Sequence, residues 1–241
     1  MGKFTKIILC LLIFLISFQV QAKNPPPGTG TSDLPANIFI LLDRSGSMDN
    51  AISTAGEVDL VIDVATDSSG NVYMLESYMN RISKFDSSGN FVKRFGSYGT
   101  GCAQWDMSYS LAIYNDKLWI ADYNNNRVIT LDLNGGCLDT SPTWFYPLAI
   151  AIGSGGAYIS HTSANKGYIS TYTPAGNKLN YANAYGPIDD MNYARGINLN
   201  STGNKLIVAD IDKNHVLELT VSGTTVVSVD NTTSSSWGRN D

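Results

Sequence analysis

Short runs of alternating apolar and polar residues, separated by clusters of Gly, Asn, Asp and Ser, fill the chain from residue 57 onward. The stretch "VYMLESYMNRISKFD" from Val72 is typical, because an apolar run, a polar loop and an alternating run follow one another. A β-strand turns successive side chains to opposite faces of its sheet, and these small polar residues favour tight turns. The pattern therefore predicts an all-β fold of short strands with almost no helix.

The strand pattern recurs along the chain as an internal repeat. Three stretches align without a gap, and a fourth aligns with one extra residue at Gly167. The copies begin at Val72, Leu118, Ala157 and Leu206. The first run of each copy ends in an equivalent polar residue, and these residues, Glu76, Asp122, His161 and Asp210, are 46, 39 and 49 residues apart. A period of about 45 residues predicts one four-stranded sheet per repeat.

The best copy, "GNVYMLESYMNRISKFDSSGNFVKRFG", resembles the NHL repeat, which joins an apolar strand, a polar loop with Asn-Arg and a strand ending in Phe-Asp. The resemblance covers residues 57–230. It implies a β-propeller of NHL type, in which four-stranded blades pack face to face around an axis. About four blades are recognisable, whereas propellers of this family usually close with about six. We therefore expect residues 57–241 to form an incomplete propeller or a fragment of a larger one.

A recurring set of polar residues follows the first run of the repeats. The set consists of Glu76, Asn80 and Arg81 in the first copy, Asp122, Asn126 and Arg127 in the second, and Asp210 and Asn214 in the fourth. A carboxylate at a strand end can accept hydrogen bonds from loop N–H groups, and Asn tolerates a left-handed turn. We interpret this set as scaffold. Lys166 and His215 replace the arginine in the third and fourth copies.

The N-terminal residues 1–22 have the composition of a secretory signal peptide. Lys3 and Lys6 precede the apolar run "IILCLLIFLISF", and small residues around Ala22 suit cleavage. The run is too short for a comfortable membrane span. Residues 23–36, "KNPPPGTGTSDLPA", are rich in Pro and Gly and predict an extended linker. We therefore expect a secreted, extracellular or periplasmic protein that is not inserted in a membrane after signal removal.

Two cysteines, Cys102 and Cys137, remain once the signal segment is removed. An exported protein folds in an oxidising compartment, where disulfides persist. The spacing of the two residues is not that of a CxxC motif. We expect one disulfide between them, with two separate buried thiols as the alternative.

The segment 37–56 has two interpretations. Its run "IFILLDRSGSMDN" resembles the first strand and DxSxS metal motif of a von Willebrand factor A domain, in which Asp43, Ser45 and Ser47 would hold a divalent cation. The run also has the spacing of the repeat, because Asp43 precedes the turn residue Asp86 by 43 residues. It therefore equally fits an outer strand of a partial blade. One carboxylate and two hydroxyls are too few to complete an octahedral shell. We expect no working cation site there.

Composition and charge exclude several classes of partner. The chain has 16 Lys and Arg against 21 Asp and Glu, a net charge of −5, and no basic cluster, so we expect no nucleic-acid partner. The histidines, His161 and His215, lack the spacing of a zinc motif. The sequence contains no GxSxG, P-loop or dinucleotide-binding motif in a strand-turn-helix context. We expect no cofactor, and a divalent cation is not expected either.

Two classes of function remain. The first is a non-catalytic binding or scaffold module, whose loops at one face of the propeller contact a protein or carbohydrate partner. The second is a metal-dependent propeller enzyme of the lactonase or amidating-lyase type, an architecture similar to that implied here. Such enzymes hold a metal ion on the axis with residues from several blades, and Asp63 and Asn198 are the inner-strand candidates. These two residues are too few and too unlike to form that ring, so the sequence favours a binding module.

Overall fold

The computed structural model describes residues 58–143, 145–189 and 191–233. The predicted signal segment, the linker and the segment 37–56, with the Asp43, Ser45 and Ser47 motif, lie outside the described residues. In the described ranges the regular structure consists of strands, and no helix there is long and apolar enough to cross a bilayer. The described residues thus correspond to the repeat region of the sequence.

Sixteen strands form four antiparallel sheets, each made of four strands consecutive in the chain. The first contains β1 (Val61–Thr66), β2 (Val72–Glu76), β3 (Arg81–Phe85) and β4 (Phe91–Phe95). The second contains β5 (Ser108–Tyr114), β6 (Lys117–Asp122), β7 (Arg127–Asp132) and β8 (Cys137–Pro142). The third contains β9 (Pro147–Gly153), β10 (Gly156–Ser163), β11 (Lys166–Ala175) and β12 (Lys178–Ile188). The fourth contains β13 (Ala194–Leu199), β14 (Lys205–Asp210), β15 (His215–Ser222) and β16 (Thr225–Thr233).

We call these sheets blades 1 to 4. The expected all-β fold with four four-stranded blades is confirmed. The first strands of neighbouring blades, β1, β5, β9 and β13, contact one another in chain order. The fourth strand of each blade lies at the opposite edge of its sheet. The first strands are therefore the inner strands around which the four blades are arranged.

Neighbouring blades pack through three apolar clusters. Representative pairs are Tyr73 and Ile120 between blades 1 and 2, Trp119 and Tyr172 between blades 2 and 3, and Tyr158 and Leu206 between blades 3 and 4. Because side chains alternate along a strand, Trp119 and Ile120, adjacent in β6, enter different clusters. Fully burying a large apolar side chain stabilises the fold by about 1.5–3 kcal/mol. A single blade could not bury both faces, so the blades stabilise one another.

In blades 1 and 2, the hairpin between the third and fourth strands is closed by an Asp-centred turn. Asp86 Oδ1 accepts the backbone N–H of Ser88 at 2.9 Å and of Asn90 at 2.8 Å. Gly89, with φ of 83°, supplies the left-handed residue of the same turn. Asp132 closes the corresponding turn of blade 2 in the same way. The sequence "DSSGN" is therefore a turn signal, as its composition predicts.

The connection from blade 1 to blade 2 is held by a disulfide and a buried tryptophan. Cys102 in this connection is bonded to Cys137, the first residue of β8, with the two Cα atoms 5.7 Å apart. Trp105 is fully buried, and its ring occupies the place where a side chain at Gly96 would stand. Gly96 also has φ of 99°, so both its space and its backbone require glycine.

Replacing both Cys102 and Cys137 with Ser should lower the free energy of unfolding by about 3–4 kcal/mol, because the crosslink removes many conformations from the unfolded chain. Urea denaturation of the oxidised protein lacking residues 1–22, with and without the two substitutions, measures the difference. Thiol titration of the denatured, non-reduced wild type should find no free cysteine. Equal stability of the two proteins, or two free thiols in the wild type, would contradict the disulfide.

Candidate functional site

A side chain at the end of the second strand of each blade bonds to the backbone that enters the first strand. In blade 1, Glu76 Oε2 accepts the N–H of Asp59 at 2.9 Å. In blade 2, Asp122 Oδ1 accepts the N–H of Asp106 at 2.9 Å. Asp59 and Asp106 each lie two positions before the first strand of their blade. We call the side chains at this position the anchor residues: Glu76, Asp122, His161 and Asp210.

Asp210 anchors blade 4 in the same way, with backbone donors on both sides. Its Oδ2 accepts the N–H groups of Asn192 and Tyr193, which enter β13, and its Oδ1 accepts those of Asp212 and Lys213, in the following loop, at 3.0 Å each. A buried carboxylate that accepts several N–H bonds is compensated for its loss of water. The carboxylate therefore joins the two segments that meet at this end of the blade.

Blade 3 reverses the polarity of the anchor. His161 Nδ1 lies 3.0 Å from the carbonyl oxygen of Phe145, which is again two positions before the first strand. Because a carbonyl oxygen only accepts, this geometry assigns the proton to Nδ1 and leaves Nε2 as an acceptor. His161 is 1% exposed, and its Nε2 has no hydrogen-bond partner in the described part of the chain. Burial lowers the pKa of His161 to about 4, although the bond to the Phe145 carbonyl acts in the opposite direction.

The asparagines of the repeat set occupy left-handed turns. Asn80, Asn126 and Asn214 have φ values of 50°, 52° and 54°. Asn80 Oδ1 also accepts the N–H of Met107 at 3.1 Å, which ties the loop of blade 1 to the segment entering blade 2. Asn tolerates this backbone conformation better than most residues. These asparagines thus serve the loop geometry.

The arginines of the repeat set are bound to protein groups. Arg81 Nη2 lies 2.6 Å from the Glu76 carboxylate. Arg127 Nε lies 2.7 Å from the Asp122 carboxylate. The terminal N–H groups of Arg127 donate to the carbonyl oxygens of Thr100, Gly101 and Gln104. These contacts are those of a scaffold, because they use the charge of each arginine within the chain.

Burial opposes the ionisation of Glu76, but hydrogen bonds from the Arg81 guanidinium and the Ser83 hydroxyl outweigh it and hold the pKa of Glu76 below its ordinary value. The side chain of Glu76 is completely buried. An ionised carboxylate with this many donors is stable in such a position, whereas one without them would be neutral. The anchor of blade 1 is thus charged at neutral pH.

The first strand of every blade carries a β-bulge directly after its first residue, which pairs with the anchor residue. The extra residue, which has no partner on the second strand, is Ile62, Tyr109, Leu148 or Arg195 in blades 1 to 4. A bulge bends its strand and re-aims the side chain of the extra residue. The same backbone device therefore presents four different side chains.

A cavity of about 360 Å³ lies between the four inner strands. Its lining includes Asp63, Tyr109, Arg195 and Asn198. Small-molecule sites commonly have volumes of about 300–1,000 Å³ and a few convergent polar groups. Asp63 and Asn198, the inner-strand candidates of the sequence, are thus brought to one cavity, together with two residues that the sequence did not single out.

Asp63 and Ser110 bridge neighbouring inner strands at the wall of this cavity. Asp63 Oδ2 accepts the N–H of Leu111 at 2.7 Å, and its Oδ1 accepts the N–H of Val64 at 2.9 Å. Ser110 Oγ accepts the N–H of Ile150 at 3.2 Å. Burial raises the pKa of Asp63, while these backbone bonds and Ser110 act to lower it. Both oxygens of the Asp63 carboxylate are thus engaged by the scaffold.

The loop face consists of the segments that precede the first strand or follow the second strand of each blade, which the anchor residues hold together. Seven large hydrophobic side chains are exposed there: Leu60, Tyr78, Met79, Tyr98, Phe145, Tyr146 and Ile211. The hairpin turns at the opposite end expose no large hydrophobic side chain among the described residues. The two ends of the blades therefore differ sharply in surface chemistry.

Tyrosines surround Arg195 where the cavity meets the loop face. The guanidinium carbon of Arg195 lies 4.2 Å from the centre of the Tyr109 ring. The Tyr123 ring is 5.0 Å from the Tyr109 ring and 5.0 Å from the Tyr146 ring. Burial, together with a hydrogen bond to Tyr123, raises the pKa of Tyr193, so its hydroxyl is protonated at neutral pH. The arrangement offers a cation, phenol hydroxyls and aromatic surface in one place.

Metal ligands do not converge in the described ranges, where no group of three or more His, Cys, Asp or Glu side chains is placed to hold an ion. On the inner strands, the positions equivalent to Asp63 are Ser110, Ala149 and Gly196. Alanine and glycine have no side-chain ligand to offer, so the cavity has no ring of equivalent ligands.

Comparison with known proteins shows the fold. No protein-family profile and no curated protein sequence matches the chain. Hydrazine synthase of Kuenenia stuttgartiensis matches 75% of this chain and 51% of its own, with a TM-score of 0.57 and 9% identity. Virginiamycin B lyase of Staphylococcus aureus matches 69% of this chain and 53% of its own, with a TM-score of 0.53 and 19% identity. The four sheets are blades of a β-propeller.

A 6-phosphogluconolactonase-like protein of Bacteroides uniformis matches this propeller over 70% of the chain and 52% of its own length, with a TM-score of 0.55 and 14% identity. The chain thus spans about half the length of these structures. At such low identities the similarity shows a shared fold but not a shared activity, because proteins with the same fold have many unrelated functions.

The cluster around Arg195 is not predicted by the repeat pattern of the sequence. Its one available signal was the string "ARG" at the start of an inner strand, where a charged residue interrupts an otherwise apolar pattern. Tyr109 lies 86 residues earlier and contributes because bulges two blades apart aim both side chains at one cavity. The reversed anchor at His161 had a clearer signal, since it replaces an acidic residue of the repeat.

Replacing His161 with Asn should reduce the loss of stability on acidification. The pKa of this histidine falls from 6.5 in the unfolded chain to about 4 in the folded protein. Between these values the unfolded chain binds more protons, so the free energy of unfolding decreases as pH falls, by about 3 kcal/mol at most from this group. An asparagine amide can still donate to the Phe145 carbonyl but does not titrate.

Urea denaturation at several pH values between 7 and about 4 measures this effect, with His215→Asn as the matched control. The wild type and the control variant should lose more stability over the window than His161→Asn. Identical pH dependence of the wild type and His161→Asn would show that the histidine does not titrate differently in the folded state.

Proposed function

We propose that this protein is an exported, non-catalytic binding module that holds a protein partner against its loop face. The observation that carries the proposal is the difference between the two ends of the blades. Among the described residues, seven exposed large hydrophobic side chains lie on the loop face and none lies in the opposite turns, while the other exposed ones lie within strands. Large apolar patches on soluble proteins mark interaction surfaces. Tyrosine, phenylalanine, methionine and arginine, the residues found here, are enriched in protein interfaces.

The scaffold behind the loop face suits binding without large rearrangement. The anchor residues fix both segments of each loop, and the disulfide between Cys102 and Cys137 restrains the longest of them. A surface that is ordered before binding loses less conformational entropy when the partner arrives. The loop face is therefore preorganised for recognition.

The chemistry of the patch favours a protein over a carbohydrate. Leu60, Met79 and Ile211 expose aliphatic or thioether surface beside the aromatic rings. Such side chains gain free energy by burial against other apolar surface, which a protein partner supplies in larger amount than a polyhydroxylated sugar. A nucleic-acid partner is disfavoured by the net charge of −5.

Export is supported by the signal-like residues 1–22 and by the disulfide, since disulfides persist in oxidising compartments. Binding through the loop face requires no cofactor. The metal-dependent enzyme is the weaker candidate. At the inner-strand position of Asp63, the other described blades have Ser110, Ala149 and Gly196, so only blade 1 offers a carboxylate ligand there.

Photo-crosslinking tests the proposal in the cells that export the protein. A benzophenone amino acid replaces Tyr146 or Tyr78 on the loop face, and Thr202 in a turn at the opposite end is the matched control. We expect discrete protein adducts from the two loop-face sites and none from position 202. The captured protein, identified by mass spectrometry and purified, should then bind wild type and lose about tenfold or more in affinity for Tyr146→Ser.

Adducts that form equally from position 202, or the absence of a discrete adduct from both loop-face sites, would contradict the proposal. The exposed Tyr146→Ser substitution should leave the melting temperature nearly unchanged, so a loss of binding would not reflect unfolding.

A further inference from the structure

Arg195 differs from the other arginines of the described ranges, because no carboxylate and no hydrogen-bond acceptor among the described residues holds its guanidinium group. The others face anchor carboxylates: Arg81 and Arg94 lie 2.6 and 3.9 Å from Glu76, and Arg127 lies 2.7 Å from Asp122. A guanidinium carries five N–H donors, and a half-buried one is normally bound to acceptors. Within the described ranges, the guanidinium donors of Arg195 are therefore not used by a protein acceptor.

The position of Arg195 is set by the fold. It is the extra residue of the bulge in β13, and its guanidinium carbon lies 4.2 Å from the centre of the Tyr109 ring, the extra residue of the bulge in β5. Stacking on an aromatic face fixes the plane of a guanidinium and leaves its N–H edge open for a bidentate acceptor. Tyr109 is therefore a positioning residue for Arg195.

The neighbouring groups are compatible with an anion. The Tyr193 and Tyr123 hydroxyls are hydrogen-bonded to each other, so the pair keeps one O–H donor for a ligand. Asp63, the acidic residue that lines the same cavity, has its carboxylate oxygens engaged by the N–H groups of Leu111 and Val64. The cavity of about 360 Å³ has room for more than a single ion.

We infer that Arg195, held by Tyr109 at the opening of the cavity onto the loop face, receives an oxyanion carried by the ligand, a carboxylate or a phosphate group. The inference rests on the proposed function, since it names a chemical group of the partner that the loop face binds. Two oxygens of a carboxylate or of a phosphate match the fork of the guanidinium edge, and hydrogen bonds between charged groups are stronger than those between neutral groups. The apolar part of the ligand contacts the tyrosine rings around this group.

NMR titration of the oxidised protein lacking residues 1–22 tests this inference with defined probes. The probes are N-acetyltyrosine, which carries a carboxylate and an aromatic ring, its neutral amide, and inorganic phosphate. The readout is the Nε–Hε resonance of Arg195, assigned by its loss in Arg195→Gln. We expect a saturable shift with N-acetyltyrosine or phosphate and none with the neutral amide. A response to N-acetyltyrosine alone identifies a carboxylate, and a response to phosphate alone identifies a phosphate group.

Arg195→Gln should weaken binding of the responding probe by about tenfold or more. The affinity of Arg195→Lys for this probe should lie between those of the wild type and Arg195→Gln. Lys117→Gln, at the opposite end of blade 2, loses the same charge and should bind like wild type. Near-ultraviolet circular dichroism checks that the variants keep their tertiary structure. If Arg195→Gln does not fold, the resonance is assigned by its loss in Arg195→Lys, and its saturable shift in the wild type, absent with the neutral amide, decides the question.

Absence of a saturable shift with every probe, or equal weakening by Lys117→Gln, would overturn the oxyanion site. The failure of this inference is separable from that of the proposed function. Partner adducts that still form from Tyr146 while no anion binds at Arg195 would refute the oxyanion site alone. Loss of both results would refute the binding role of the loop face as well.

Discussion

The hydrogen bond between the anchor residue and the segment entering the first strand is the interaction on which the rest of the described structure depends. Glu76, Asp122 and Asp210 each accept the N–H two positions before the first strand of their blade. Losing one carboxylate would leave a buried donor unpaired, at a cost of about 1–3 kcal/mol. The bond sets where the inner strand begins, and the bulge follows at the next residue.

In each blade, the residues that hold the backbone in place are different from the bulge residue. Each blade repeats the anchor, the left-handed turn and the bulge, while the side chain at the bulge differs from blade to blade. Ile62 and Leu148 are apolar there, whereas Tyr109 and Arg195 meet across the cavity. A repetitive backbone can thus build an asymmetric site, because the backbone fixes position and the non-equivalent residues supply the chemistry.

The sequence predicted what its repeats encode locally. The alternation of apolar residues and the turn signals gave the strands, and the series Asn80, Asn126 and Asn214 gave the left-handed turns. Contacts between non-equivalent blades could not be predicted in this way, because Arg195 and Tyr109 are distant in sequence and meet only after the blades pack. The reversal at His161 was visible as a substitution, but its partner, the carbonyl of Phe145, was not.

Amide hydrogen exchange measured by NMR tests the central role of the anchors most directly. The backbone N–H of Asp106 should be protected in the wild type and exchange much faster in Asp122→Ala, while the N–H of Asn192, held by Asp210, keeps its protection in the same variant. Such a result would show that each anchor holds its own blade. Rapid exchange of the Asp106 amide already in the wild type, or unchanged protection in Asp122→Ala, would contradict the anchoring role of Asp122.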